Sequence, residues 1–236
     1  MHRIEISPDM AAFARAQRGG SEQTFQTLDL SRTAHIVIDM QNGFVEPGAP
    51  VEVPIAREIV PNINAISEAV RRGGGLNVFM RMSVTEESLG SWSNWFAFFH
   101  TRESTAEFAQ AFGPGGHHHA LWPAIDVQPA DLILNKTRFS AFVPGASDLH
   151  ATLQARGIDT LIITGTLTNC CCESTARDAM QMNYKLVFVT DANAALSDAA
   201  HNATLDNMCM LFADVRSAAE TVTMIRASAR QPEPAE

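Results

Sequence analysis

The chain has 236 residues, of which 46% are hydrophobic and 18% are charged, and its formal net charge at pH 7 is −9. This composition excludes a disordered or collagen-like chain, and the length indicates one large domain or two small ones. The acidic excess argues against a nucleic acid or an anionic membrane as the main partner, because both attract basic surfaces.

Short apolar strands alternate with helical patterns along most of the chain. Strands are predicted at residues 34–38, 76–80, 131–134, 160–164, 185–190 and 213–215. Helices are predicted at residues 59–72, 146–156, 171–183 and 199–212. This alternation indicates an α/β fold, here a doubly wound, mostly parallel sheet of about six strands with helices on both faces. Such sheets bind ligands beyond the carboxyl ends of their strands.

Some segments depart from this alternation. Residues 1–30 mix charged residues with Gly and Ser, and we expect an N-terminal arm there with at most one short helix. Residues 31–228 then form the main domain, and residues 229–236 form a flexible tail. Residues 81–128 are an insertion with several aromatic residues beside the strand ends. Insertions of this kind often serve as a lid or a subunit contact.

Cysteine content and hydropathy indicate the cellular compartment in which the protein is expected. Four cysteines are too few for a disulfide framework at this length, and three of them, Cys170, Cys171 and Cys172, are consecutive. Neighbouring cysteines form disulfides only with strain, so we expect these thiols to be reduced. The sequence has no stretch of 18 apolar residues, and its first 20 residues lack the apolar core that a signal peptide needs. We therefore expect a cytoplasmic protein that does not bind membranes.

Three reactive side chains follow predicted strands. Asp39 follows the first strand, Lys136 follows the third, and Cys171 opens the helix after the fourth. A thiol at a helix N-terminus is expected to have a lowered pKa, because backbone N–H groups and the helix dipole stabilise the thiolate. An aspartate within reach could take the thiol proton and return it to a leaving group. The three residues form a nucleophilic site if the sheet brings them together, which their spacing alone does not establish.

Three segments around these residues resemble the motifs of one family, the isochorismatase-like cysteine hydrolases, also called the nicotinamidase-related amidohydrolases. They are IVIDMQNGF around Asp39, LNKTRFSAF around Lys136 and GTLTNCCCESTARDA around Cys171. The motifs occur in the family's order and together cover about residues 33–225. The resemblance implies a Rossmann-like three-layer fold and a hydrolase that acts on C–N bonds other than peptide bonds.

The resemblance also implies a role for each of these residues. Asp39 is the acid and base, Lys136 is the supporting cation, and Cys171 is the nucleophile that forms an acyl-thioester with the substrate. Counting along the family pattern selects Cys171 from the three cysteines. Consecutive helical side chains diverge by roughly 100°, so Cys170 and Cys172 are expected to point elsewhere and to pack as small apolar side chains.

The family has a cis peptide bond in the loop before the nucleophile. In this sequence the bond joins Thr166 to Leu167. The resemblance therefore implies that the backbone N–H groups of Leu167 and Cys171 form the oxyanion hole.

A metal site is not expected. Nicotinamidases carry a metal-binding Asp-x-His and a further His downstream of the first motif, whereas residues 45–93 contain no His. The resemblance is closer to the metal-free branch, which includes ureidoacrylate amidohydrolases, streptothricin hydrolase and isochorismatase-like lactamases. We accordingly expect no metal and no other cofactor. His117, His118 and His119 are interpreted as a solvated surface turn.

Substrate contacts are assigned by analogy and position. The aromatic residues expected to line the pocket are Phe44, Trp92, Trp95, Phe139 and Phe142. The polar residues expected to select the substrate are Asn42, Asn94 and Arg138. The expected partner is a small amide, ureide (carbamoyl compound) or lactam. The resemblance further implies a homodimer or homotetramer.

Two other functions stay open at this point. True isochorismatases cleave a vinyl ether and do not use the cysteine as a nucleophile, although an intact Asp, Lys and Cys set argues against that reaction here. Three adjacent thiols could also act as a redox or metal sensor. No C-x-x-C spacing supports a sensor, and a sensor would not need Asp39 or Lys136.

Overall fold

The computed structural model describes residues 1–229 and is organised around one parallel sheet. The strands are β1 (Thr33–Ile38), β2 (Leu76–Met82), β3 (Leu132–Lys136), β4 (Thr160–Thr166), β5 (Lys185–Ala194) and β6 (Asp214–Arg216). Their order is β3-β2-β1-β4-β5-β6, and all pairings between these strands are parallel. The predicted α/β class with a doubly wound sheet is confirmed.

Helices connect the strands. They are α1 (Pro8–Gln17), α2 (Asn42–Val45), α3 (Ala56–Arg72), α4 (Glu86–Ser91), α5 (Ser93–Phe99), α6 (Arg102–Phe112), α7 (Leu149–Ala155), α8 (Glu173–Gln181), α9 (Asp198–Asn207) and α10 (Ala218–Ser228). A π-helical turn, Thr168–Cys172, leads into α8, and another, Met208–Phe212, follows α9. The predicted helix at 199–212 is therefore α9 followed by a turn of different pitch.

Two apolar layers cover the faces of the sheet. Helices α3 and α10 pack on one face, and α7, α8 and α9 pack on the other. Strand β1 contributes side chains to both layers, because Val37 faces the first layer and its neighbours Ile36 and Ile38 face the second. A strand buried on both sides is a continuous apolar run, which explains why the sequence reveals it so clearly.

The N-terminal residues pack against the region around α9. The Nδ1 atom of His2 lies 2.7 Å from an oxygen of Asp198, and its Nε2 atom accepts a hydrogen bond from the N–H of Ala195 at 2.9 Å. The His2 ring also stacks on His201, with 4.2 Å between ring centroids. The predicted flexible tail at 229–236 lies outside the described residues, apart from its first position. No helix in residues 1–229 is both long and apolar enough to cross a membrane.

The insertion at 81–128 contains α4, α5 and α6 and carries an aromatic cluster. The rings of Trp92 and Trp95 are stacked with 4.3 Å between centroids, and Phe96 packs against both. Two further aromatic side chains at the end of α5, Phe98 and Phe99, are 80% and 78% exposed. The roles of this insertion as a lid or an interface, and the homodimer or homotetramer, stay predictions.

A glycine allows β4 to approach β1 closely at the carboxyl edge of the sheet. Gly165 pairs with Ile38, has a φ of +122° and leaves no room for a Cβ, which would collide with the carbonyl oxygen of Ile38. This contact brings the end of β4 beside the end of β1. Any larger residue must push the two strand ends apart or distort the backbone.

The Gly165→Ala variant is therefore expected to lower the free energy of unfolding by at least about 3 kcal/mol, because the backbone strain and the collision add together. Gly74→Ala is the matched control, since Gly74 also has a positive φ (+82°) but nothing lies within 4 Å of an added Cβ. It should cost about 1 kcal/mol. Urea unfolding measures both changes, and equal losses would show that the close approach is unimportant.

Candidate active site

Asp39 and Lys136 form a buried ion pair across the end of β2. Asp39 follows β1 in a left-handed conformation (φ 53°), and its N–H donates to the carbonyl oxygen of Met80. Lys136 is the last residue of β3, on the far side of β2. Its long side chain passes Met82, and its Nζ lies 2.7 Å from Oδ2 of Asp39. Both side chains are fully buried.

Cys171 comes to the same place from β4. The peptide bond between Thr166 and Leu167 is cis, at the position that the family resemblance indicates, and Cys171 lies in the π-helical turn that follows. The N–H groups of Cys170 and Cys172 both donate to the carbonyl oxygen of Leu167 at 3.1 Å. The Cys171 thiol lies close enough to Asp39 and Lys136 for both charges to act on its pKa. Three side chains that are far apart in the sequence therefore meet.

Burial and the ion pair set the protonation of the two charged residues. Burial disfavours the charged carboxylate and raises the pKa of Asp39, and the attraction of Lys136 offsets this only in part. Burial also acts to lower the pKa of Lys136, but Asp39 and Cys171 more than compensate, so the net pKa of Lys136 is raised. Lys136 is thus a permanent cation, and Asp39 holds a proton more readily than an exposed aspartate.

The expected lowering of the Cys171 pKa is wrong. The hydrogen bond with the Cys170 thiol and the burial of the side chain raise the pKa of Cys171 well above its ordinary value, and Asp39 adds to this shift. The attraction of Lys136 acts in the other direction but does not prevail. The same hydrogen bond lowers the pKa of Cys170. Cys171 therefore rests as a neutral thiol and needs a base before it can attack.

A cavity of about 310 Å³ opens beside Cys171. Cys171 and Leu167 form part of its wall, whereas Asp39 and Lys136 lie behind the thiol with no exposed surface. Cys170 also lines the cavity, so the expectation that it points elsewhere is wrong, because the wide π-helical turn turns both thiols toward the same space. Cys172 is fully buried in the apolar layer with α8, as expected.

Some of the predicted substrate contacts line this cavity. They are Phe44, Trp95 and Phe139. Trp92 does not line it and instead stacks on Trp95. Phe142 does not line it either, and its ring packs beside Tyr184 within the apolar layer that also contains Cys171.

None of the three predicted polar selectors lines the cavity. The side-chain amide of Asn42 donates to the carbonyl oxygen of His117, which fixes a loop. Arg138 donates to Thr137 and Ser91 and lies over the Trp92 ring at 5.0 Å. Asn94 is exposed on α5. The polar groups of Asn42 and Arg138 are thus already used by the protein itself, which the sequence does not reveal.

The sequence interpretation missed much of the cavity wall. The remaining wall residues are Val51, Glu52, Val53, Met82, His100, Phe108 and Leu196. Met82 ends β2, so the rule that ligands bind beyond the strand ends could have found it. The others lie in loops and in the insertion, where no periodic pattern marks the direction of a side chain.

The three consecutive histidines do not form a uniformly solvated turn. His119 is buried with its Nε2 atom 2.7 Å from Oγ of Ser83, and burial lowers its pKa to about 4. His117 and His118 do reach the surface, where their ring nitrogens and a carboxylate oxygen of Glu46 lie within 4.8 Å of one another. These three groups are close enough to share a cation. The expectation that the protein uses no metal stays a prediction.

The comparisons with known proteins agree with one another and with the resemblance seen in the sequence. A family model described as "Isochorismatase domain" matches residues 33–220. The "Uncharacterized isochorismatase family protein YwoC" of Bacillus subtilis is 33% identical over 182 residues, which are 75% of this chain and 86% of that protein. The ureidoacrylate amidohydrolase RutB of Variovorax paradoxus is 36% identical over 185 residues, 73% of each chain. The crystal structure of a cysteine hydrolase from Pseudomonas syringae matches with a TM-score of 0.75 and 28% identity, over 87% of this chain and 97% of that one.

Proposed function

Because the chain belongs to the isochorismatase family, we propose that it is a cysteine-dependent amidohydrolase. It cleaves the C–N bond of a small amide, ureide or lactam through an acyl-thioester on Cys171. The observation that supports this most is the buried Asp39–Lys136 pair directly behind a thiol that borders a cavity. A relative named as an amidohydrolase supports the same reaction class.

The first half of the reaction forms the thioester. The Cys171 sulfur attacks the carbonyl carbon of the substrate while the Asp39 carboxylate accepts the thiol proton. The carbonyl oxygen becomes an oxyanion, for which we assign the N–H groups of Leu167 and Cys171 as donors. As the C–N bond breaks, Asp39 returns the proton to the nitrogen, and the amine or ammonia departs. Lys136 keeps its charge throughout and holds Asp39 toward the thiol.

The second half regenerates the enzyme. A water molecule attacks the thioester carbonyl while Asp39 accepts one of its protons, and the C–S bond then breaks. The sulfur recovers the proton from Asp39 and the carboxylic acid leaves. A raised pKa suits Asp39 to this work, because the residue must both accept and release a proton in each half-reaction.

A panel of primary amides, carbamoyl compounds, ureides and γ-lactams tests the proposal. The expected result is hydrolysis of one class, seen as release of ammonia or amine or, for a lactam, as ring opening to the amino acid, together with a Cys171 acyl adduct found by mass spectrometry. Hydrolysis that continues unchanged in a Cys171→Ala variant would count against it. No hydrolysis and no adduct with any member of the panel would refute the amidohydrolase assignment.

The pH profile of kcat/KM tests the role of Asp39. Since burial raises its pKa, the carboxylate becomes protonated at a higher pH than an ordinary aspartate does, and a protonated Asp39 cannot accept the thiol proton. Activity should therefore fall on acidification with a midpoint clearly above about 3.9. Samples held at each pH and assayed again at neutral pH separate this effect from unfolding. A midpoint at or below the usual aspartate value would contradict the assignment.

A further inference from the structure

We propose that the acyl group of the substrate is uncharged and apolar, an aryl or branched alkyl group rather than one that carries a carboxylate. This inference rests on the proposed function and concerns the substrate class of the same site. It is carried by the wall of the cavity beside Cys171 and by the bonding of the cations nearest to that wall.

The wall is apolar and largely aromatic. Phe44, Trp95, Phe108 and Phe139 present four aromatic groups from four different segments, and two valines and two leucines complete the apolar wall. Aromatic walls favour flat or branched apolar groups through area burial and ring–ring contacts. The volume of about 310 Å³ is at the small end of the range for small-molecule sites, which limits the acyl group to a few carbon atoms or one ring.

Among the described residues that line the cavity there is no lysine or arginine. Its one carboxylate, Glu52, pairs with Arg57 at 2.8 Å and accepts the N–H of Gly48 at the same distance. These hydrogen bonds lower the pKa of Glu52, so the carboxylate is ionised and forms an ion pair with Arg57. His100 is the other polar residue of the wall, and its ring packs edge-on against Trp95 with 4.3 Å between centroids.

The cations near the cavity are already engaged, and among them Arg57 is held by Glu52 and by the carbonyl oxygen of Val45. Lys136 is fully buried against Asp39, and its Nζ also donates to the carbonyl oxygen of Arg138 at 3.2 Å. The Arg138 guanidinium is held by two hydrogen bonds and by the Trp92 ring. A substrate carboxylate would therefore lose its hydration without gaining a lysine or arginine partner, since the polar side chains of the wall are His100 and the already paired Glu52. An apolar group in the same place has no charge to desolvate, so its burial does not carry this free-energy cost.

Matched substrates test the inference. Hexanamide and adipamate have the same chain, except that adipamate carries a carboxylate in place of the terminal methyl. We expect kcat/KM for hexanamide to exceed that for adipamate by at least about 100-fold, and phenylacetamide to be better than its para-carboxylate, 4-(carbamoylmethyl)benzoate. Equal values, or a preference for the carboxylates, would overturn the inference while leaving the amidohydrolase function intact. Hydrolysis of none of the four would refute the proposed function and this inference with it.

A substitution at the cavity mouth provides the second arm. Leu196 lines the cavity and is 68% exposed, so arginine can replace it without disturbing the fold. Leu196→Arg supplies the missing cation and should raise the adipamate-to-hexanamide ratio of kcat/KM about tenfold. Leu211→Arg is the matched control, because Leu211 is 57% exposed but does not line the cavity, and it should leave the ratio unchanged. An unchanged ratio in Leu196→Arg would contradict the inference.

Discussion

Replacing Cys171 with alanine is expected to lower kcat/KM toward amides by a factor on the order of 10⁴ or more, because the variant has no atom that can form the acyl-thioester. The change removes one sulfur atom from a side chain that borders a cavity, so the fold should be retained. Steady-state kinetics measures the loss, and circular dichroism checks the fold. Mass spectrometry should find no acyl adduct on the variant.

Cys172→Ala is the matched control for this experiment. Cys172 is adjacent in sequence, but it is buried in the apolar layer and does not line the cavity. Its replacement should cost about 1 kcal/mol of stability and leave kcat/KM within a few-fold of the original value. Loss of activity in Cys172→Ala with retention in Cys171→Ala would show that the nucleophile has been assigned to the wrong cysteine.

The same pair of variants separates the amidohydrolase from the other functions. A vinyl-ether hydrolase that does not use the cysteine should keep its turnover in Cys171→Ala. A thiol sensor should react with a mild alkylating agent at several cysteines alike, whereas the amidohydrolase should be protected at Cys171 by its substrate. Residual ether cleavage in the variant, or alkylation that substrate does not slow, would favour the alternatives.

Lys136→Met is expected to lower the free energy of unfolding by about 3–5 kcal/mol and to abolish amide hydrolysis. The substitution removes one member of a fully buried ion pair and leaves the Asp39 carboxylate without its counter-charge. Without the charge of Lys136, the Asp39 carboxylate should be protonated at neutral pH, so it can no longer accept the thiol proton. Urea unfolding and kcat/KM measure the two consequences separately.

The double variant Asp39→Asn/Lys136→Met tests whether the pair exists for stability or for chemistry. Two neutral side chains of similar size replace two charges, and the methionine lies beside the Met82 sulfur that Lys136 now contacts at 3.9 Å. Stability should return to within about 1 kcal/mol of the original protein, while activity stays absent. Recovery of activity in the double variant would refute the role of Asp39, and stability as low as in Lys136→Met would show that the loss has another cause.

The sequence identifies the reacting groups more readily than the groups that surround them. Asp39, Lys136 and the turn that holds Cys171 follow strands whose apolar runs are unmistakable, and parallel strands bring their carboxyl ends to one edge. Phe139 and Phe142 show the limit of this reasoning. Both follow β3 in a loop, yet Phe139 lines the cavity whereas Phe142 packs beside Tyr184. No period relates two positions in an irregular segment, so their directions could not be predicted.

The predicted direction of the Cys171 pKa shift is wrong for a related reason. A helix N-terminus is visible in the sequence, and its effect on a thiol has a known sign. The contact with Cys170 and the depth of burial depend on the pitch of the π-helical turn, which no residue type specifies. The local surroundings of the Cys171 thiol therefore outweigh the general effect of a helix N-terminus on its pKa.

The buried ion pair and most of the cavity wall come from different parts of the architecture. Asp39 and Lys136 are fixed at the ends of sheet strands, whereas Val51, Phe108 and Leu196 belong to loops and to the insertion. Changes in these outer segments can reshape the recess without moving the ion pair. An engineer could therefore retarget the protein to new acyl groups by randomising the periphery alone, and natural selection has had the same freedom.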